Sequence, residues 1–362
     1  MSTRVHNFGA GPSALPREVL EEAREELLSY GGTGMSILES SHRGKAYDEV
    51  HRRTTRDLKT LLGAGDSHEI LYMGGGARSQ FAIAPMNLLP ADSSADYVTT
   101  GRWSAMALAE ARKRGPVREI WSSEASGHDR VPAPGDLEVD SRAAYLHYTS
   151  NNTIAGTQYH FVPAAEGVPL VCDMSSDILS RPVDLAPFGL VYAGAQKNLG
   201  PAGVTLVVVR KDLLGRSPGE LPDTMSYAAM AAKRSLLNTP PVFAIYLVGL
   251  VARRLLETGG AGAAEGRNRH KADLLYGAID GSGGFYRGHA RKGSRSHMNV
   301  TFRLPSQDLE TGFVAAAAEE GLVGLKGHRS VGGIRASLYN AVTAEAVEAL
   351  TGFMAQFQRE HG

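Results

Sequence analysis

"LVYAGAQKNLGPAG" runs from residue 190 to residue 203. Its first half is apolar at successive positions, as a strand buried on both faces must be. Its second half is a lysine followed closely by glycines and a proline, residues that punctuate regular structure. Lys197 therefore lies no more than a turn beyond a buried strand, not on a solvated helix face. Ligands of open α/β sheets bind at the carboxyl ends of strands. The stretch asks whether Lys197 is a charge on a turn or a nucleophile at the mouth of a pocket.

The surrounding sequence repeats the pattern. "EILYM" (69–73), "ADYVTTG" (95–101), "AAYLHYTS" (143–150), "PLVCD" (169–173) and "GVTLVVVRKDLL" (203–214) read as short strands, apolar on both sides. Between several of them lie helical stretches: "YDEVHRRTTRDLKTLLG" (47–63), stopped by Gly63, "SQFAIAPMNLL" (79–89) and "SAMALAEARKRG" (104–115). A first helix is expected in "PREVLEEAREELLSY" (16–30), with Leu20, Leu27 and Leu28 on one side. The expectation is an α/β fold: a large domain over 16–257 with a mostly parallel, mixed sheet sandwiched by helices, joined by the segment 1–15. "TGGAGAAEG" (258–266) is a Gly/Ala-rich break, although a helix could run through part of it. Beyond it "SHMNVTFRL" (296–304) alternates Met298, Val300, Phe302 and Leu304 with polar residues, the mark of a one-sided antiparallel strand. With helices at "DLETGFVAAAAEEGL" and "TAEAVEALTGFMAQFQRE" and a strand at "GGIRASLYN", residues 258–362 read as a smaller α+β C-terminal domain.

Composition narrows the function classes. Lysine plus arginine equals aspartate plus glutamate, 38 each, so no global basic field points to nucleic acid or an anionic membrane. A single cysteine, Cys172, excludes an internal disulfide framework and suits a reducing compartment. The longest apolar run, "VFAIYLVGLVA" (242–252), falls short of the roughly 20 residues a spanning helix needs. The N-terminus lacks the apolar core of a signal peptide. A cytoplasmic protein is expected, with no metal ligand set.

Four groups fall at expected strand ends. "GGGARSQF" (74–81) is a glycine turn into a helix N-terminus, which offers free amides to an anion, or is simply a tight turn. It matches neither Gly-x-Gly-x-x-Gly nor a P-loop. Asp173 closes an apolar strand and needs a cationic or donor partner; a helix cap, a salt bridge or a protonated pyridine nitrogen would each serve. Lys197 is a loop charge or a partly desolvated amine able to form a Schiff base. Trp103 in "TGRWS" packs in the core or stacks on a planar ring. A cofactor with a phosphate, a pyridine nitrogen and an aldehyde would use the glycine turn, Asp173 and Lys197 together. Two basic clusters suit an acidic substrate: His42 and Arg43 in "SSHRG", and His328, Arg329 and Arg335 in "GHRSVGGIRAS". Each could equally be a solvated patch. Cys172 and His147 read as structural residues.

These segments, with "NFGAGPSALP", "GMSILESSHRGKAY", "HYTSNNTIAGT", "CDMSSDILSRPVD" and "NTPPVFAIY", resemble the phosphoserine aminotransferases over nearly the whole length. These are enzymes of PLP fold type I in the class V aminotransferase family. The resemblance implies a pyridoxal 5'-phosphate enzyme of serine biosynthesis that moves an amino group from L-glutamate to 3-phosphohydroxypyruvate. Some relatives also act on a phosphorylated hydroxythreonine in vitamin B6 (pyridoxine) synthesis. It implies Lys197 as the Schiff-base lysine, Asp173 on the pyridinium nitrogen and Trp103 on the ring. It places the backbone of Ala77 and Arg78 on the phosphate, and Thr153 and Gln196 near the ring. Asn238 and Thr239 would reach the phosphate of the neighbouring subunit's cofactor in a homodimer. Arg335 would bind the substrate α-carboxylate, and His42, Arg43, His328 and Arg329 its distal anion. Many members have a serine before the N-terminal Gly-Pro; Ala10 stands there here, so a side-chain contact from that position is lost. Rival readings are another enzyme of this fold, such as an alanine–glyoxylate aminotransferase or a cysteine desulfurase, and a phosphate-ligand binder without covalent chemistry. A desulfurase needs a cysteine on a mobile loop, and Cys172 is expected in a buried strand.

Overall fold

The computed structural model describes residues 4–362. Its centre is a sheet of seven strands: β1 His68–Met73, β2 Ala95–Thr99, β3 Val117–Ser122, β4 Leu146–Thr149, β5 Leu170–Asp173, β6 Phe188–Gly194 and β7 Thr205–Arg210. They lie in the order β1-β7-β6-β5-β4-β2-β3. Neighbours from β6 across to β3 pair in parallel. β7 alone runs antiparallel to both its neighbours. The sheet is therefore mixed and mostly parallel, as the apolar runs imply.

Strand periodicity explains the two helical layers. Leu206 and Val208 of β7 face a core shared with the helices Lys45–Leu62 and Val242–Glu257. Val207 and Val209 face the opposite core, shared with the helices Gly76–Leu88 and Arg102–Ala111. β3 is the strand that the sequence pattern did not single out. It lies at the sheet edge with no buried residue, so no apolar run marks it.

A second core gathers Ala272–Phe357 together with Phe8 from the N-terminal segment. Its sheet places β8 Asn299–Arg303 between β9 Ile334–Ser337 and the two-residue strand Arg287–Gly288, all antiparallel. Met298, Val300, Phe302 and Leu304 are all buried, as their alternation requires. The last helix, Ala344–His361, buries Val347, Leu350, Met354 and Phe357.

One expectation is corrected, and one open point is settled. The first helix spans only Arg17–Glu25 and buries Val19 and Ala23. Leu27 and Leu28 are exposed, Leu28 at 84%, because the chain leaves the helix before them, and Leu20 is exposed within the helix, whose buried face carries Val19 and Ala23. The Gly/Ala-rich stretch at 258–266 is mostly helix: Gly260–Asp280 starts there, after Gly259 turns the chain at φ 92°.

Candidate active site

The parallel strands deliver the candidate residues to one edge of the sheet. Trp103 follows β2, Thr153 follows β4, Asp173 ends β5 and Lys197 follows β6. The register sets Thr149 beside Asp173 and Asp173 beside Tyr192, so these strand ends are level.

Asp173 is 6% exposed. Its Oδ1 accepts the Ser175 main-chain amide at 2.9 Å, the turn an aspartate makes with the backbone two residues on. Its Oδ2 has no protein donor among the described residues. That free oxygen, on a residue otherwise buried, is open to a bound donor. Lys197 is half-buried, and its Nζ makes no hydrogen bond among the described residues. Nζ lies 5.8 Å from the centroid of the Trp103 ring. Burial lowers the Lys197 pKa; the charge of Asp173 opposes that shift and Arg335 adds to it. The amine is thereby moved toward its neutral, nucleophilic form.

The main chain around Lys197 is gripped from the N-terminal segment. Ser13 donates its hydroxyl to the Lys197 carbonyl and its amide to the Gln196 carbonyl. Thr153 ties two further groups together: its Oγ1 accepts from Trp103 Nε1 at 3.1 Å, and its carbonyl accepts from Arg335 Nη1 at 3.2 Å. Arg335 Nε is buried without a partner. His328 bonds Ser330 Oγ at 2.7 Å. Its pKa is held low by burial first, then by Arg335, Arg102 and Arg329. Nearby Arg303 is paired with Glu310, whereas Arg102, Arg329 and Arg335 have no carboxylate partner among the described residues. Unpaired guanidinium groups around one imidazole prepare the site for anions.

Gly75 and Gly76, at φ 83° and 72°, turn β1 into the helix Gly76–Leu88. No side chain caps its first amides, and Ser79 Oγ turns back to the Gly75 carbonyl. The amides of this turn, at Ala77 and Arg78, remain available to a phosphate.

The single chain brings together Asp173, Lys197, Trp103, Thr153, Arg335 and His328, with Gln196 in the same turn. It leaves others apart. His42 precedes the helix Lys45–Leu62, with its Nε2 buried and unpartnered. Arg43 lines a separate cleft with Lys233, Arg234 and Leu237. Asn238 and Thr239 are exposed, and among the described residues Asn238 bonds only the Thr239 carbonyl. Sequence reasoning missed Ser13, Ser175, Arg102, Asn198, Tyr339 and Asn340. The tendency of an aspartate to bond the backbone two residues on could have revealed Ser175; nothing local marks the rest. The backbone at Ala10 does hold a contact, accepting from Tyr339 Oη at 2.9 Å.

The two structural residues are structural. Cys172 is fully buried in β5, with its thiol pKa pushed far up by burial, so no cysteine of the desulfurase kind is present among the described residues. His147 stacks on Tyr97 and bonds Tyr192 Oη at 2.8 Å, and burial lowers its pKa to about 3.

The fold and this site define a pyridoxal-phosphate-dependent aminotransferase. The chain belongs to the aminotransferase class-V family, whose model matches residues 5–350. Its relatives are narrower in kind. It is 55% identical to a phosphoserine aminotransferase of Desulfatibacillum aliphaticivorans, with each chain covered in full. The solved phosphoserine aminotransferase of Bacillus circulans subsp. alkalophilus is 53% identical over 100% of both chains, at a TM-score of 0.98. A solved phosphoserine aminotransferase studied for radiation damage of its Schiff base is 49% identical, covers 99% of this chain and 100% of its own, and has a TM-score of 0.96.

The residues present fit pyridoxal phosphate. An unpartnered oxygen of Asp173 suits a ring N–H, the Lys197 amine suits an aldehyde, Trp103 offers a flat face and the turn after β1 offers amides.

Proposed function

We propose that the enzyme exchanges an amino group between L-glutamate and 3-phosphohydroxypyruvate, giving 2-oxoglutarate and O-phospho-L-serine. The observation that carries this is the pairing of the Asp173–Lys197–Trp103 site with guanidinium groups that have no acid partner. Bound there, pyridoxal phosphate supplies the aldehyde that takes up the amino group and a ring that accepts the electron pair left by proton loss.

The residues of the chain do the rest. Lys197 would hold the cofactor through its amine, and that amine, once free, would be the base that takes the proton from the substrate α-carbon. Desolvation lowers its pKa and so favours the neutral form that a base must have. Asp173, held by the Ser175 amide, keeps a positive charge on the ring nitrogen. Trp103, fixed by Thr153, sets the ring plane. Arg335 binds the α-carboxylate of either amino acid, and His328 and Arg329, with His42 and Arg43, receive the phosphate or the distal carboxylate. The Ala77 and Arg78 amides would hold the phosphate of the cofactor, and Gln196 would stand near the ring.

A homodimer with shared sites accounts for the residues that one chain leaves apart. Asn238 and Thr239 then serve the neighbouring cofactor, and His42 and Arg43 complete an anion pocket across the interface. Support comes from exposed apolar side chains within one stretch, Leu27, Leu28, Met35 and Leu38, which a second subunit would cover. The separate hydrophobic cores support a division into 16–257 and 258–362 joined by 1–15. Among the described residues no helix is long and apolar enough to cross a membrane, which fits a cytoplasmic site of action.

Borohydride reduction of the purified protein tests the reading. The reduced cofactor should be fixed on Lys197, and glutamate with 3-phosphohydroxypyruvate should outpace other keto acids. No adduct, with no visible absorbance, would favour a non-covalent binder.

A further inference from the structure

One buried charge lies outside this machinery. Lys271, on the helix Gly260–Asp280, is 2% exposed. It has no carboxylate partner among the described residues. Its Nζ instead donates to three main-chain carbonyls: Leu338 at 2.8 Å, Tyr339 at 2.8 Å and Val342 at 2.9 Å. One helical turn earlier, Asn268 Nδ2 reaches Asn340 Oδ1 at 2.8 Å and the Ser180 carbonyl at 3.0 Å. One face of this helix thus fixes the turn 338–342 that follows β9.

That turn holds the site from two sides. The Asn340 amide donates to Asn198 Oδ1 at 2.8 Å, and Asn198 directly follows Lys197. Asn198 Nδ2 in turn donates to the Ile178 carbonyl at 2.6 Å, so its side chain is fixed at both ends. Tyr339 Oη donates to the Ala10 carbonyl at 2.9 Å, three residues before Ser13 closes on Gln196 and Lys197. Arg335 lies on β9, three residues before Leu338. An apolar side chain would fill the same space without the cost of burying an ion. What the lysine adds is hydrogen bonds to three main-chain carbonyls, all three made and charge-assisted while it is protonated, that favour one arrangement of the turn.

We propose that Lys271 is a positioning residue: by clamping the turn 338–342 it sets the placement of Lys197, through Asn340 and Asn198, and of Arg335, through the end of β9. This rests on the reading of Lys197 as the residue that bears the cofactor.

The experiment compares Lys271→Met and Asn198→Ala, which removes the acceptor of the Asn340 main-chain amide, with wild type as holoenzymes. Hydrogen exchange of the peptide covering 195–200 should quicken at least tenfold in both variants. The pH midpoint of the visible cofactor absorbance should move, and KM for glutamate should rise at least fivefold. If both variants fold, lose thermal stability and leave exchange at 195–200, the absorbance midpoint and KM unchanged, Lys271 is a stability residue only and the proposal is overturned. If Lys271→Met does not fold, Lys271→Gln, which fills the same space with fewer donors, decides on the same readouts. Fixation by borohydride at a lysine other than 197 overturns the underlying reading and this proposal with it. Fixation at 197 with unmoved variants overturns this proposal alone.

Discussion

Lys197 and Lys271 are two lysines taken out of water in one chain, and their surroundings make opposite uses of them. Around Lys197 the protein withholds partners: Nζ has no hydrogen bond among the described residues, a carboxylate is near but not in contact, and an aromatic face lies alongside. Around Lys271 it saturates all three donors with carbonyls. Both amines have their pKa lowered by burial, Lys271 to about 7. A perturbed pKa therefore does not by itself identify a reactive lysine. The unspent donors do, because an amine must be free of other bonds to attack or to carry a proton.

The contrast breaks most sharply at Lys197 itself. Lys197→Ala should lower turnover by about 10⁴-fold or more and abolish reductive fixation. Retention of either by this variant would mean that the reactive amine lies elsewhere. Asp173→Asn keeps the shape but removes the charge facing the ring. It should lower kcat by about 10²–10³-fold, the scale of losing one well-placed electrostatic contact, as steady-state kinetics would measure. Arg335→Ala should raise KM for both amino donor and keto acceptor by roughly 10–100-fold, the worth of a charge-assisted contact. Equal kinetics for variant and wild type would remove it from the substrate site.

Lys271 yields a test of sign. Its folded pKa, about 7, lies below the value of the unfolded chain. Between about pH 7 and pH 10 the unfolded state holds more protons, so stability must rise with pH across that window. The gain from pH 7 to 9 should be about 2 kcal/mol in wild type and absent in Lys271→Met, read from denaturant midpoints. Parallel slopes in the two proteins would show that the ammonium stays protonated and that its carbonyl bonds outweigh its burial. The smallest effect is expected at Trp103→Phe, which keeps the ring face and loses the bond to Thr153. Its cofactor affinity, by absorbance titration, should fall severalfold, for about 1 kcal/mol.

Much of the architecture was legible because burial on both faces leaves a mark in sequence. β5, β6 and β7 are nearly continuous apolar runs, as strands buried on both faces tend to be. β3 left no such mark because it is an edge strand without a buried residue. The helical face at Leu20, Leu27 and Leu28 was misread for a related reason: periodicity reports which side is apolar, not what covers it. At the site, Asp173 and Lys197 were legible as charges that end apolar strands. Ser13, Asn198, Tyr339 and Asn340 were not, since each is an ordinary polar residue until the chain returns from more than a hundred positions away.

Taken alone, the amino-acid order determined the strand-and-helix rhythm, the charges placed at strand ends and the glycine turn, because hydrophobic periodicity and turn chemistry act over a few residues. The tertiary structure decided which of those charges share a site, which lysine is left with free donors and which is saturated, and that His42, Arg43, Asn238 and Thr239 stand away from Lys197 within one chain. Those are properties of distance between remote segments, set by sheet order and by packing across two cores, and no local pattern encodes them.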